Sequence, residues 1–142
     1  MIYESDSTGV ILALHRATHA TLHALGTRLA ELDLAAPDIN LLANLADGGR
    51  RTVGALATAT ATKPTTLTSA LDRLARRGYL VRDVDPDDRR SFLISLTRSG
   101  EAAAQTVAAA VRDLEQQVLG AVTEADLAGF HALIGALTEV SP

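Results

Sequence analysis

Apolar residues recur along this chain with two different periods, and the switch between them organises the sequence. Over residues 8–32, Ile11, Leu14, Leu22, Leu25, Leu29 and Leu32, with Thr18 among them, follow one another at three-, four- or eight-residue steps. That spacing lines one face of an α-helix. The helix is long for a small core, so part of its stripe is expected to pack on another chain. Residues 35–46 predict a second helix with Pro37 in its first turn, where a missing N–H costs nothing. Ile39, Leu41, Leu42, Leu45 and Ala46 form its buried side, and Asp47-Gly48-Gly49 ends it. Thr52 is placed to cap a third helix over 53–59, with Val53, Leu56 and Ala57 inward. A fourth helix starts at Lys63-Pro64 and reaches Arg77, where Gly78 ends it. Leu67, Ala70, Leu71 and Leu74 face the core, opposite Thr65, Thr66, Thr68, Ser69, Asp72, Arg73 and Arg76.

After Gly78 the period falls to two. Leu80, Arg82 and Val84 alternate with Val81 and Asp83, and Phe92, Ile94 and Leu96 alternate with Leu93 and Ser95. Asp85-Pro86-Asp87-Asp88 between them is turn chemistry, so the segment predicts a β-hairpin. Thr97 can cap a fifth helix over 98–122, with Ala103, Val107, Ala110, Leu114, Val118 and Ala121 inward. Thr123-Glu124-Ala125-Asp126 has the form of a capping box and starts a last helix carrying Leu127, Phe130, Ile134 and Leu137. The expected class is mainly α, in the order α-α-α-α-β-β-α-α.

Composition adds constraints. The apolar share of 47% is mostly Ala, Leu and Val, which suits close-packed helices. The absence of cysteine removes disulfides and thiolate chemistry. No apolar run is long enough to span a bilayer. The acidic, polar start MIYESDSTG is unlike a signal peptide, so a cytoplasmic protein without membrane attachment is expected. Net charge is −4, but residues 50–90 hold nine basic side chains against five acidic ones, for +4, while the remainder is −8. A binding face needs local charge, so this asymmetry is compatible with a polyanionic partner.

The third and fourth helices read as a helix-turn-helix, in which the second helix enters the major groove of DNA. Lys63, Thr65, Thr66, Thr68, Ser69, Arg73, Arg76 and Arg77 are its candidate DNA-binding residues. Thr65, Thr66, Thr68, Ser69 and Arg73 are expected at or near base edges, with Lys63, Arg76 and Arg77 on phosphates. In the hairpin, Asp88 and Arg90 are expected two residues apart on one side of a strand. The four aspartates of a DNA-facing hairpin, Asp83, Asp85, Asp87 and Asp88, would repel phosphate unless some orient arginines, and a carboxylate can fix a guanidinium in direction. Asp88 is therefore expected to aim Arg90 into the minor groove while Arg89 meets phosphate.

Taken together, these residues resemble the MarR (multiple antibiotic resistance regulator) family of winged-helix transcription regulators. The resemblance rests on Leu56-Ala57, on Pro64-Thr65-Thr66-Leu67-Thr68, and on Leu71-Asp72-Arg73-Leu74-Ala75-Arg76-Arg77-Gly78. It continues through Asp85-Pro86-Asp87-Asp88-Arg89-Arg90 and Leu96-Thr97-Arg98-Ser99-Gly100. It implies one MarR-like domain over 1–142, with a DNA-binding lobe at 36–97 and helical dimerisation segments at 8–34 and 98–140. It further implies a homodimer on a pseudo-palindromic operator in double-stranded DNA, a repressor in the main, often released by a small-molecule effector. The chain departs from the family at Ala59-Thr60-Ala61-Thr62, which lacks the usual glycine, and at Lys63, where a hydroxyl cap is common and Thr62 becomes the candidate cap. Ser69 replaces a long basic residue, and Ala35 replaces a threonine cap.

His15, His19 and His23 recur at spacing four, a pattern that can share a metal. Each step rotates the position about 40° around a helix of 3.6 residues per turn, so the three drift from the apolar edge towards solvent. Polar edge or dimer-contact residues are the favoured reading, with no metal or other cofactor expected and a metal-responsive regulator kept as an alternative. A winged helix that binds protein instead of DNA is the other alternative. No catalytic motif is present and no catalytic residues are expected, so the chain is not read as an enzyme.

Overall fold

The computed structural model describes residues 9–140; the expected helix start at residue 8 lies outside that range. The described chain divides into two compact units, the first ending at Val111 and the second beginning at Arg112.

In the first unit, α1 (Val10–Arg28) is followed by a 3-10 turn (Ala30–Leu32). The predicted single helix thus breaks at Leu29, which turns into the core and is 3% exposed. Leu25 and Leu32 pack beside it, whereas Ile11 near the other end of the stripe is 49% exposed. α2 (Ala36–Leu45), α3 (Val53–Thr60) and α4 (Pro64–Arg76) follow as predicted. Their inward residues Ile39, Leu41, Leu42, Leu45, Leu56, Leu67, Ala70, Leu71 and Leu74 are all buried. Thr52 caps α3 by accepting the Ala55 N–H at 3.1 Å.

The hairpin is β2 (Leu80–Val84) against β3 (Phe92–Leu96), with Leu80 opposite Leu96, Arg82 opposite Ile94 and Val84 opposite Phe92. A third strand, β1 (Arg51–Thr52), pairs with Leu93 and Ile94 and completes an antiparallel sheet in the order β1-β3-β2. The predicted order lacks it because two residues carry no period; only long-range pairing defines such a strand. Leu80 and Ile94 fill the inner face of the hairpin, while Arg82 on that face reaches the Asp72 carboxylate on α4.

α5 (Arg98–Leu119) spans both units and stops three residues short of its predicted end. Ala103, Ala104, Val107 and Ala110 are buried in the first unit, whereas Val118 is 52% exposed. In the second unit, α6 (Glu124–Glu139) starts with the predicted capping box: Thr123 Oγ1 accepts the Asp126 N–H, and the Asp126 carboxylate accepts the Thr123 N–H. It buries no residue, and Phe130, Leu133 and Val140 remain exposed.

Candidate nucleic-acid interface

The outer face of α4 is set by its two ends. At the start, Lys63 is the N-cap residue and offers no side-chain bond to the helix. Thr62 does not cap it either: its hydroxyl donates to the Thr60 carbonyl at 3.0 Å, which corrects the expected role. The first-turn N–H groups of α4 therefore point outwards with the positive end of the helix dipole, a natural position for an anion. Thr65, Thr68 and Ser69 are exposed there and Thr66 is half-buried. The Thr68 hydroxyl is held by the Pro64 carbonyl at 2.8 Å.

The turn before α4 keeps the usual geometry without the usual glycine. Ala61 adopts φ 49°, ψ 42°, and the Thr62 N–H reaches the Ala57 carbonyl while the Ala61 N–H reaches that of Thr58. This is the Schellman arrangement, held here by an alanine in left-handed backbone. Gly78, with φ 75°, ends α4 in the same way: Tyr79 N–H bonds Leu74 O, and Gly78 N–H bonds Ala75 O.

The arginines divide into two groups. Arg73 lies on the outer side of α4, but its guanidinium turns to the 4%-exposed Asp38 carboxylate of α2, with hydrogen bonds of 2.7, 3.2 and 3.2 Å. The Asp38 hydrogen bond raises the pKa of Arg73. Arg77 donates to the carbonyls of Leu32 at 2.6 Å and Asp33 at 2.9 Å, and stacks 5.0 Å over the Tyr79 ring. Arg50 pairs with Asp83, Arg51 with Asp47 and Arg82 with Asp72. Lys63 and Arg89 have no charged partner among the described residues, and Arg76 meets only the Asp72 carbonyl, at 3.4 Å. Asp38 is the partner that sequence reasoning missed, since an acid in the first turn of a helix reads as an ordinary dipole match.

The wing tip is built from two successive turns, which corrects the expected strand placement of Asp88 and Arg90. Asp85 and Asp88 each open a turn closed by an N–H three residues on, Asp88 N–H to Asp85 O at 3.2 Å and Ser91 N–H to Asp88 O at 2.9 Å. Each carboxylate also accepts the N–H two residues ahead, from Asp87 at 2.9 Å and from Arg90 at 3.1 Å. These are Asx turns, and Pro86 supplies the fixed φ of the first. Asp88 Oδ1 additionally receives Arg90 Nε at a long 3.5 Å, while the Arg90 side chain is 93% exposed. The wing thus ends in two hydrogen-bonded turns that carry a solvent-exposed guanidinium.

Gly100 explains how the wing is anchored. A Cβ there would lie 1.7 Å from the Tyr79 carbonyl oxygen. Thr97 accepts the Gly100 N–H at 3.1 Å, its own N–H bonds Tyr79 O at 3.0 Å, and its hydroxyl donates to Gly78 O. The Leu96-Thr97-x-x-Gly100 motif therefore packs the start of α5 onto the backbone just beyond α4.

A shallow groove of about 470 Å³ runs between the start of α2 and the outer face of α4, lined by Ala35, Pro37, Thr65, Thr66, Ser69 and Arg73. His15, His19 and His23 lie exposed along α1. Among the described residues no group of three or more His, Cys, Asp or Glu side chains is placed to hold a metal.

Residues 32–91 match the sequence model of the MarR family. Wild-type MarR from E. coli, in its apo form, has the same fold, with a TM-score of 0.72 at 25% identity over 96% of this chain and 100% of that chain. Residues 32–91 thus carry a MarR-family sequence match, within a winged-helix fold of the MarR type. Bordetella bronchiseptica BpsR, whose DNA binding is regulated by 6-hydroxynicotinic acid, superposes with a TM-score of 0.80 at 24% identity, covering 96% of this chain and 98% of that one. The PcaV transcriptional regulator from Streptomyces coelicolor, in complex with its natural ligand, gives 0.81 at 21% identity, with both chains covered completely. At those identities the likeness shows the shared MarR-type fold. No curated protein matches the chain.

Proposed function

We propose that this chain is a homodimeric transcription regulator of the MarR type, a repressor in the main, that binds a pseudo-palindromic operator in duplex DNA. The observation that supports this reading is the wing, where two successive turns at the hairpin tip leave Arg90 exposed beside Asp88. In this reading α4 lies in the major groove, with Thr65, Thr66, Thr68 and Ser69 near base edges. Lys63, Arg76 and Arg89 meet phosphates, and Arg90 enters the minor groove, where a guanidinium is favoured by the narrow groove's negative potential. Arg73 and Arg77 act from behind the interface, through Asp38 and the Leu32–Asp33 carbonyls.

Dimerisation is proposed through the outer helices, where Val10, Ile11 and Leu12 on α1 and Phe130, Leu133 and Val140 at and beyond α6 expose apolar surface. Release of the regulator from DNA by a small-molecule effector is part of the proposal. BpsR's regulation by 6-hydroxynicotinic acid and the complex of NadR with 4-hydroxyphenylacetate support an effector of that kind. No catalytic role is proposed. No helix among the described residues is long and apolar enough to cross a membrane.

The pairing of Arg50, Arg51 and Arg82 with aspartates favours a second reading, a winged helix that binds protein, because it leaves few free cations. Selection of duplexes from a random pool separates the two. Enrichment of a two-fold symmetric sequence supports the regulator, and failure to retain any duplex at low salt supports the protein-binding module.

A further inference from the structure

We propose that Arg77 is a positioning residue that fixes α1 against the recognition helix α4, and through it the spacing of two half-sites; this rests on the DNA-binding reading above. The residue falls directly after α4, yet its side chain turns away from the outer face of that helix. One edge of the guanidinium serves two carbonyls at once, Leu32 O at 2.6 Å and Asp33 O at 2.9 Å, while its face lies 5.0 Å over the Tyr79 ring. Tyr79 Oη is 3.4 Å from the same Nη2. Leu32 ends the 3-10 turn after α1, and Asp33 adopts left-handed backbone at φ 49°, ψ 59°. Carbonyls at the end of a short helix lack intrahelical donors, so the guanidinium supplies the cap that the chain itself omits.

The geometry makes this a joint between two elements. Asp33 is where the chain reverses from α1 towards α2, and its peptide is held by the residue that ends α4. Leu29 and Leu74 are buried in the same core, so the fork fixes direction where apolar packing alone fixes only distance. A planar fork with a stacking face does this; a lysine ammonium, a flexible point charge, does not. If α1 joins two protomers, its angle to α4 sets how far apart the two recognition helices stand. Binding two half-sites together then gains over one only when that distance fits the DNA.

Arg77→Gln and Arg77→Lys test the joint in the full chain. Duplexes selected by the wild-type protein are prepared with two half-sites, with one half-site, and with the spacing changed by one base pair. The expected result is about a tenfold loss on the two-half-site duplex, with single-site affinity within about twofold and weaker discrimination against altered spacing. Arg77→Lys should not rescue. Because the chain has no cysteine, spin labels can be placed at Ala17→Cys on α1 and Ser69→Cys on α4, diluted with unlabelled chain. The wild-type distance distribution should be narrow and that of Arg77→Gln broad.

Equal loss on both duplexes, with a lower salt slope and an unchanged distance distribution, would make Arg77 a phosphate contact and overturn the proposal. So would wild-type behaviour of Arg77→Gln in both measurements. If wild type retains no duplex, the DNA-binding reading fails separately, and the label distances alone decide the joint: broadening upholds it and no change rejects it.

Discussion

Arg73 on α4 and Asp38 on α2 share three hydrogen bonds of 2.7–3.2 Å, with the carboxylate side chain only 4% exposed and the guanidinium 40% exposed. A side chain that sequence alone assigns to base edges is thus the brace that holds α4 on its neighbour. The two ends of the pair are unequal. Arg73→Ala strands a buried carboxylate and is expected to cost about 2–3 kcal/mol, below the full cost of breaking a buried pair because one partner is partly hydrated. Asp38→Asn keeps an acceptor and should cost about 1 kcal/mol. Urea unfolding of both variants checks the order; a larger loss for Asp38→Asn would contradict this account.

Gly100→Ala is expected to be the most damaging single-methyl substitution in the lobe, because its Cβ would fall 1.7 Å from a backbone oxygen that cannot move freely. A loss above about 4 kcal/mol, or failure to fold, is expected. Expression and thermal unfolding give the answer, with Gly54→Ala as control, since nothing lies within 4 Å of that position.

Ala61→Gly should do the opposite. The residue holds φ 49° at the turn into α4, a backbone region that costs a non-glycine residue about 1–2 kcal/mol, of which glycine's greater chain entropy takes back part. A gain of about 0.5–1 kcal/mol in denaturant stability is expected. Unchanged or lower stability would show that the surrounding bonds have relaxed the strain.

The pH dependence has a defined sign. The Thr123 N–H, then the Thr123 hydroxyl, hold the Asp126 carboxyl below its usual pKa; the Gly49 N–H, then Arg51, do the same for Asp47. A carboxylate with a depressed folded pKa contributes stability above its unfolded pKa, near 4, and loses it as pH falls through the folded value. Asp126→Asn should therefore narrow the melting-temperature gap to wild type as pH falls from about 5 towards 3. A gap that stays constant with pH would remove the charge from the account of the cap.

Most of the helices were legible because each has an unbroken apolar stripe and a local stop signal, as in Leu67, Ala70, Leu71 and Leu74 before Gly78. The hairpin was legible from its period of two. β1 was not, because Arg51–Thr52 is a strand only by virtue of Leu93 and Ile94, about forty residues on. The site was legible in composition but not in direction. Lys63, Thr65, Thr68, Ser69, Arg89 and Arg90 face outward where their neighbours in sequence suggested. Arg73 and Arg77 turn to partners 35 to 45 residues away, and no spacing rule connects Asp38 or the Leu32 carbonyl to them. The Asp88–Arg90 relationship was read from strand alternation, and it holds through an Asx turn instead.

The most direct test of DNA binding by this face is the salt dependence of affinity for a selected duplex, measured by fluorescence anisotropy for wild type and Arg90→Ala. Four outward cations per protomer, Lys63, Arg76, Arg89 and Arg90, give a dimer a log–log slope of roughly −5 to −7. Arg90→Ala should weaken binding by about 1–3 kcal/mol and make the slope shallower by about 1–2 for the dimer. A flat salt dependence, or Arg90→Ala binding as tightly as wild type, would contradict the account.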